Sequence, residues 1–99
     1  MAKGRPKKAR MVKNEPSTKQ FSPRGRHGRP GYSALKYEEF EAIRLADHTG
    51  LRQAEAAHEM GISQQTFSRV LKAGRKCLAG ALVLGKIIKV VGGEYKIEK

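Results

Sequence analysis

The sequence predicts a mainly α fold: a helix-turn-helix three-helix core, a C-terminal β-hairpin and a disordered basic N-terminal arm. Three features carry that expectation. Residues 53–72, QAEAAHEMGISQQTFSRVLK, place apolar side chains at helical spacing on both sides of a glycine. Residues 86–99, KIIKVVGGEYKIEK, alternate apolar and polar side chains around Gly92-Gly93. Residues 1–31 hold Pro6, Pro16, Pro23 and Pro30 and almost no apolar side chains, so no core is expected from them. The chain therefore divides into an arm, residues 1–31, and a domain, residues 32–99.

The arm carries ten basic residues and one acidic residue, Glu15. It contains two Gly-Arg-Pro triplets. Gly4-Arg5-Pro6 runs into Lys7 and Lys8, and Gly28-Arg29-Pro30 follows Arg24 and Arg26. This resembles the AT-hook, whose core is Arg-Gly-Arg-Pro. Glycine lets the chain approach a groove floor, proline keeps it extended, and arginine suits the negative minor groove of A·T tracts. The plainer reading, a basic tail that only neutralises phosphates, is the favoured one. Under either reading Arg5, Lys7, Lys8, Arg24, Arg26 and Arg29 are DNA contacts.

Tyr37, Phe40 and Ile43 recur every three residues and predict a helix over about 36–47. Glu38, Glu39 and Glu41 crowd its first turns, where the helix dipole favours anions. His48-Thr49-Gly50 is its exit loop. Its acidity sets it away from DNA, packed across the helix-turn-helix.

The first motif helix gathers Ala56, Ala57 and Met60 on one side, and the small Ala57 allows a close crossing. Gly61 takes the sharp turn, Ile62 plugs the gap between helices, and Ser63 caps the second helix. That helix is expected to run from Gln64 to about Leu84, roughly 30 Å at 1.5 Å per residue. Gly74 in its apolar stripe marks a close helix contact, Gly80 a bend, and Gly85 the stop. With Gln64 at zero, Phe67, Val70, Leu71, Gly74, Cys77, Leu78 and Ala81 span about 220–340°, and Gln65, Arg69, Lys72 and Lys76 about 80–140°. A buried stripe thus faces away from a polar, cationic one. A helix-turn-helix places its second helix in the major groove. Gln suits adenine, Arg suits guanine, and Ser suits several groups. Gln65, Ser68 and Arg69 are the base readers, with Gln64 at the edge and Ser63 and Thr66 at the same end. Lys72 and Lys76 are phosphate contacts. An ordinary solvated helix face fits the periodicity equally well; the turn and the charge decide for DNA.

In the hairpin, Gly92-Gly93 is the turn, Val90 faces Tyr95, Ile88 faces Ile97 and Lys89 faces Lys96. A lone hairpin is marginal in water, so its apolar face must dock, as a wing on the helices or against a second copy.

The chain has 99 residues and a net charge of +12, which implies a polyanionic partner. Cys77 is the only cysteine, so neither an internal disulfide nor a thiolate zinc site is available, and its place in the apolar stripe makes it inert core. His27, His48 and His58 are scattered and Asp47 is the only aspartate, so no catalytic or metal-ligating constellation assembles; no enzyme activity and no cofactor are expected. No apolar run reaches membrane-spanning length, so a cytoplasmic, nucleoid-associated protein with no membrane partner is expected. The function predicted is sequence-specific binding of double-stranded DNA by a transcription regulator. The alternatives are a basic RNA-binding protein and a protein-interaction module of the transcription machinery. A homodimer is a further expected partnership.

EFEAIRLADHTGLRQAEAAHEMGISQQTFSRVLKAGRKCLAGALVLGKIIKVVGG resembles the small prokaryotic family known as domain of unknown function 134, or uncharacterised protein family 0251, closely over about residues 35–95 and loosely over the basic start and Phe21-x-Pro23. It is also similar, more distantly, to the fourth region of bacterial sigma factors, a helix-turn-helix that reads promoter DNA. The resemblance implies a helix-turn-helix fold and DNA binding in a prokaryote, and no particular target. Members usually carry Ser where this chain has Arg52, which predicts a weaker cap on the first motif helix.

Overall fold

Three helices meet around Phe67. The structure is a computed structural model that describes residues 9–25, 28–93 and 95–97. α1 spans Tyr37–Ile43 and continues directly into a π-helical segment, Arg44–His48. α2 spans Gln53–Glu59 and α3 spans Gln64–Leu84. The α3 boundaries are those expected from the sequence, and each end has a local cause. Ser63 Oγ accepts the Thr66 amide at 3.1 Å. Gly85 closes the helix in the left-handed region at φ 65°. Gly61 turns the chain between α2 and α3 at φ 64°. At Arg52 the side chain makes no cap hydrogen bond, but Glu55 Oε1 reaches back to accept the Arg52 amide at 3.0 Å, as in a capping box.

The core follows from the apolar periodicity. Ala42, Leu45, Ala56, Ala57, Met60, Phe67 and Leu71 form one buried cluster, with Ile62 and Val70 packed against it. Gly74 is a true close crossing. A Cβ there would stand 3.0 Å from Ile43 Cδ1 and 3.3 Å from the Glu39 carbonyl oxygen. At Gly80 α3 continues as helix, and the space beside that glycine is open.

Both C-terminal strands form where expected, but their partners come from the N-terminal third. β1 is Arg10–Val12, β2 is Gln20–Phe21, β3 is Tyr32–Lys36, β4 is Ile87–Val91 and β5 is Tyr95–Ile97. β4 is the centre of a three-stranded sheet, antiparallel to β2 and parallel to β3. β5 pairs in parallel with β1, Val12 opposite Ile97. The facing pairs Val90/Tyr95, Ile88/Ile97 and Lys89/Lys96 are therefore not the ladder. The docking that the apolar face demanded was satisfied differently: a strand flanked on both sides loses fewer backbone hydrogen bonds to water than one in an isolated hairpin. Val12, Leu35, Tyr37 and Val90 form a second buried cluster there, with Ile88, Tyr95 and Ile97 partly buried against it. The Tyr37 and Tyr95 rings lie 4.6 Å apart at 51°.

Part of the arm is consequently structural. Val12 is fully buried. Just after it, Glu41 Oε2 accepts the Lys13 amide at 3.1 Å. The same carboxylate is held by the Arg44 guanidinium in a fork, at 2.8 and 2.9 Å. The boundary drawn at residue 31 placed these residues outside the domain because one valine in a basic stretch leaves no periodicity to read.

Candidate nucleic-acid interface

The face of α3 opposite Gly74 and Leu71 is built from short polar and cationic side chains. Ser63, Gln64, Gln65, Ser68, Arg69, Lys72 and Lys76 are all exposed, and Thr66 is half-buried. The N-terminal end is organised by one hydrogen-bonded row. Ser63 Oγ donates to Thr66 Oγ1 at 3.0 Å, and Arg69 Nη2 reaches the same oxygen at 3.5 Å, a long and weak contact. Arg69 is thus loosely oriented along the helix while its guanidinium stays in solvent. Arg69, Lys72 and Lys76 form no ion pair among the described residues, so their charge is available to an outside anion.

Arg75 is different. Its guanidinium grips Asp47 at 2.7 and 3.1 Å, tying α3 to the π-helical segment. That hydrogen-bonded contact holds the Asp47 carboxyl below its ordinary range. Arg75 is one residue from Lys76, yet its charge is already matched. The acidic residues of α1 lie on the far side of α3. Glu38 and Glu41 are buried, and Glu39 packs against Gly74 on the core stripe. The carboxylates of α1 are thereby kept off the cationic face.

Of the arm residues, Arg24 and Arg29 are exposed in the loop between β2 and β3. Arg5, Lys7, Lys8 and Arg26 lie outside the described residues. Cys77 is half-buried against the second cluster, where its thiol donates to the Ala34 carbonyl at 3.4 Å. Burial pushes that thiol up, away from the reactive thiolate form.

Sequence reasoning missed two residues at this surface. Arg10 and His58 join Gly61, Ser63, Thr66 and Arg69 around an open cleft of about 900 Å³ at the turn between α2 and α3. His58 shows only as one histidine on a helix. Arg10 is brought in from far along the chain by the docking of β1, which no local pattern announces.

Among the described residues no helix is long and apolar enough to cross a membrane. The family model described as "Protein of unknown function DUF134" matches residues 1–98. A UPF0251 protein of Methanococcus maripaludis strain C7 is 45% identical over 98 residues, covering 98% of this chain and 75% of the relative. A UPF0251 protein of Syntrophobacter fumaroxidans is 46% identical over 90 residues, covering 90% of this chain and 58% of the relative. One from Caldicellulosiruptor saccharolyticus is 47% identical over 91 residues, covering 92% and 64%. No solved structure gives a significant match.

Proposed function

The chain belongs to the DUF134 family, and from that premise we propose that it binds double-stranded DNA sequence-specifically through α2 and α3, as a prokaryotic transcription regulator. The observation that carries this reading is the exposed face of α3. Three cations without ion-pair partners among the described residues share it with Gln64, Gln65 and Ser68. Gln65, Ser68 and Arg69 have the donors and acceptors that read base edges in the major groove. Lys72 and Lys76 lie farther along and suit phosphates. Arg24 and Arg29, and the arm residues before them, add sequence-independent attraction. The net charge of +12 supports a polyanionic partner, and the mechanism requires no cofactor and no catalytic step. A nucleoid location in the cytoplasm follows from the same reading.

One feature favours a second reading. Leu82, Val83 and Leu84 are exposed at the far end of α3, at 83%, 79% and 55%. An exposed apolar run of that kind suits a protein contact, with a second copy or with the transcription machinery. The reading as an RNA-binding protein is weaker, since Tyr37 and Phe67 are buried and Tyr95 and Phe40 pack into the second cluster, leaving Phe21 and Tyr32 as the exposed rings for stacking.

Competition between duplex DNA and RNA of matched length, across a range of salt, tests the proposal. Duplex should displace RNA, and the logarithm of its affinity should fall linearly with that of salt. Equal displacement by RNA at every salt concentration would contradict it.

A further inference from the structure

The three-stranded sheet has one face in the core and one in solvent. Leu35 and Val90 are buried, and Ile88 packs against them. Side chains alternate along a strand, so Tyr32, Ala34 and Lys36 of β3 and Lys89 of β4 belong to the opposite face. Lys89 is paired with Ala34 on one side and Gln20 on the other, so these three form one row across that outer face. Tyr32, Ala34, Lys36 and Gln20 are exposed, and no residue of β2, β3 or β4 is acidic. Lys89 is half-buried, with its ammonium 4.2 Å from the centre of the Tyr32 ring, a contact that orients the charge without neutralising it. Lys36 and Lys89 form no ion pair among the described residues. The Glu39 carboxylate accepts the Lys36 amide, at 2.9 Å.

The edge of this sheet abuts α3. Cys77 Sγ donates to the Ala34 carbonyl at 3.4 Å, so the helix runs beside β3. At roughly 100° per residue from Gln64, Cys77 lies at about 220° and Leu78 at about 320°. Leu78 lines a cleft with Leu35 and Ile88, and with Phe40 and Ile43 of α1, so the inner side of the sheet is on the Leu78 side of that edge. The outer side is therefore on the other, where Ala73, Gly80 and Lys76 follow at about 180°, 160° and 120°. Ala73 and Lys76 are exposed, and the space beside Gly80 is open. The outer face of the sheet thus continues into the cationic face of α3. β3 also runs toward the N-terminal half of that helix. Its start lies by the C-terminal end of α3, where the Ile87 amide donates to the Gly31 carbonyl at 2.9 Å, and Glu39, just after its end, packs at Gly74. Lys36 accordingly sits at the end of β3 that points toward Lys72 and Lys76.

We propose that the outer face of this sheet is a second phosphate-binding surface for duplex DNA, on which Lys36 and Lys89 contact the sugar-phosphate backbone flanking the groove that α3 enters. The inference rests on the DNA-binding reading of α3 and extends it to residues of β3 and β4. A helix in the major groove has a phosphate backbone on each side of it, so a surface that continues its cationic face sideways meets phosphates rather than base edges. An ammonium is a compact point charge and suits a phosphate without a fixed approach angle. Ala34, small and exposed between Lys89 and the helix, leaves room for the backbone to come close. Both lysines stand on paired strands, so ordering them on binding costs less freedom than ordering cations of a free arm. Contacts on this flank also fix the register in which Gln65, Ser68 and Arg69 meet the groove.

The test uses the full chain and a fluorescent duplex of mixed sequence, with affinities read at several salt concentrations. Combining Lys36→Gln with Lys89→Gln should weaken binding to every sequence alike, by roughly tenfold, and lower the salt slope by about two, one for each phosphate contact. Lys36→Arg with Lys89→Arg keeps both charges and should keep the slope. Lys96→Gln removes an exposed cation from the separate β1–β5 sheet and should leave the slope unchanged. In the wild-type chain, where folding is not in question, saturating duplex should protect Lys36 and Lys89 from acetic anhydride as it protects Lys76. An unchanged slope in the Lys36→Gln, Lys89→Gln chain, with Lys76→Gln still lowering it, would overturn the inference and leave the DNA-binding reading standing. A fall per removed charge as large for Lys96→Gln would do the same, since net charge rather than place would then govern binding. So would acetylation of Lys36 and Lys89 at the same rate with and without duplex while Lys76 is protected. Failure of the wild type to bind duplex in preference to RNA would overturn both.

Discussion

Phe67→Ala should bring the domain close to unfolding. Phe67 is fully buried and belongs to a cluster drawn from α1, the π-helical segment, α2 and α3. Truncating a buried Phe costs about 3–5 kcal/mol, part transfer energy and part cavity. A domain of this size has about 5–15 kcal/mol in all. The midpoint of thermal unfolding should fall by on the order of 20 °C, with α-helical ellipticity lost alongside. The surrounding side chains have little room to collapse into the space, because Ala56 and Ala57 are already small and bring the helix backbones together. Melting within a few degrees of wild type would mean that Phe67 does not anchor the three helices.

Deleting residues 1–31 should destabilise the domain as well as weaken its attraction for DNA. The deletion removes β1 and β2, and with them the only ladder partner of β5 and the antiparallel partner of β4 among the described strands. It removes Val12, whose burial alone is worth about 1.5–3 kcal/mol. It also exposes Glu41, which loses the Lys13 amide and keeps only Arg44. Urea denaturation should show a lower midpoint for the truncated chain. A deletion that stops before Arg10 serves as the control, since it removes Lys3, Arg5, Lys7 and Lys8 and keeps β1. If the 32–99 fragment unfolds at the wild-type urea concentration, the docking of β1 and β2 contributes nothing.

What the sequence disclosed follows from the range of the interactions. The helices were legible because a buried stripe repeats every 3.6 residues and because their ends are marked locally. Ser63, Gly61 and Gly85 each act within a few residues of their own position. The exposed face of α3 was legible for the same reason: once Phe67, Leu71 and Gly74 fix the core side of the helix, Gln65, Arg69, Lys72 and Lys76 must lie on the other. Of the five described strands, β4 and β5 were legible as elements because they alternate around glycines; β1, β2 and β3, and all the pairing, were not. Pairing joins residues far apart in sequence, and β2 is two exposed residues with no pattern of its own. The π-helical segment also went unread. Its signature is the Thr49 amide donating to the Arg44 carbonyl at 2.7 Å, one residue beyond α-helical reach, and no residue type specifies that. At the site, the pairing of Arg75 with Asp47 and the arrival of Arg10 beside Arg69 both depend on tertiary docking.

The central claim is that α3 reads DNA sequence. It is tested most directly by selecting ligands from a pool of random duplexes with the wild-type chain and with Arg69→Ala, alongside thermal melts of both. Arg69 is exposed and its one internal contact is weak, so melting should be nearly unchanged. A good bidentate base contact discriminates by about 1–3 kcal/mol, so Arg69→Ala should lose preference at one base position and keep the rest of the selected motif. Selection of the same motif, with the same affinity, by wild type and Arg69→Ala would contradict the account.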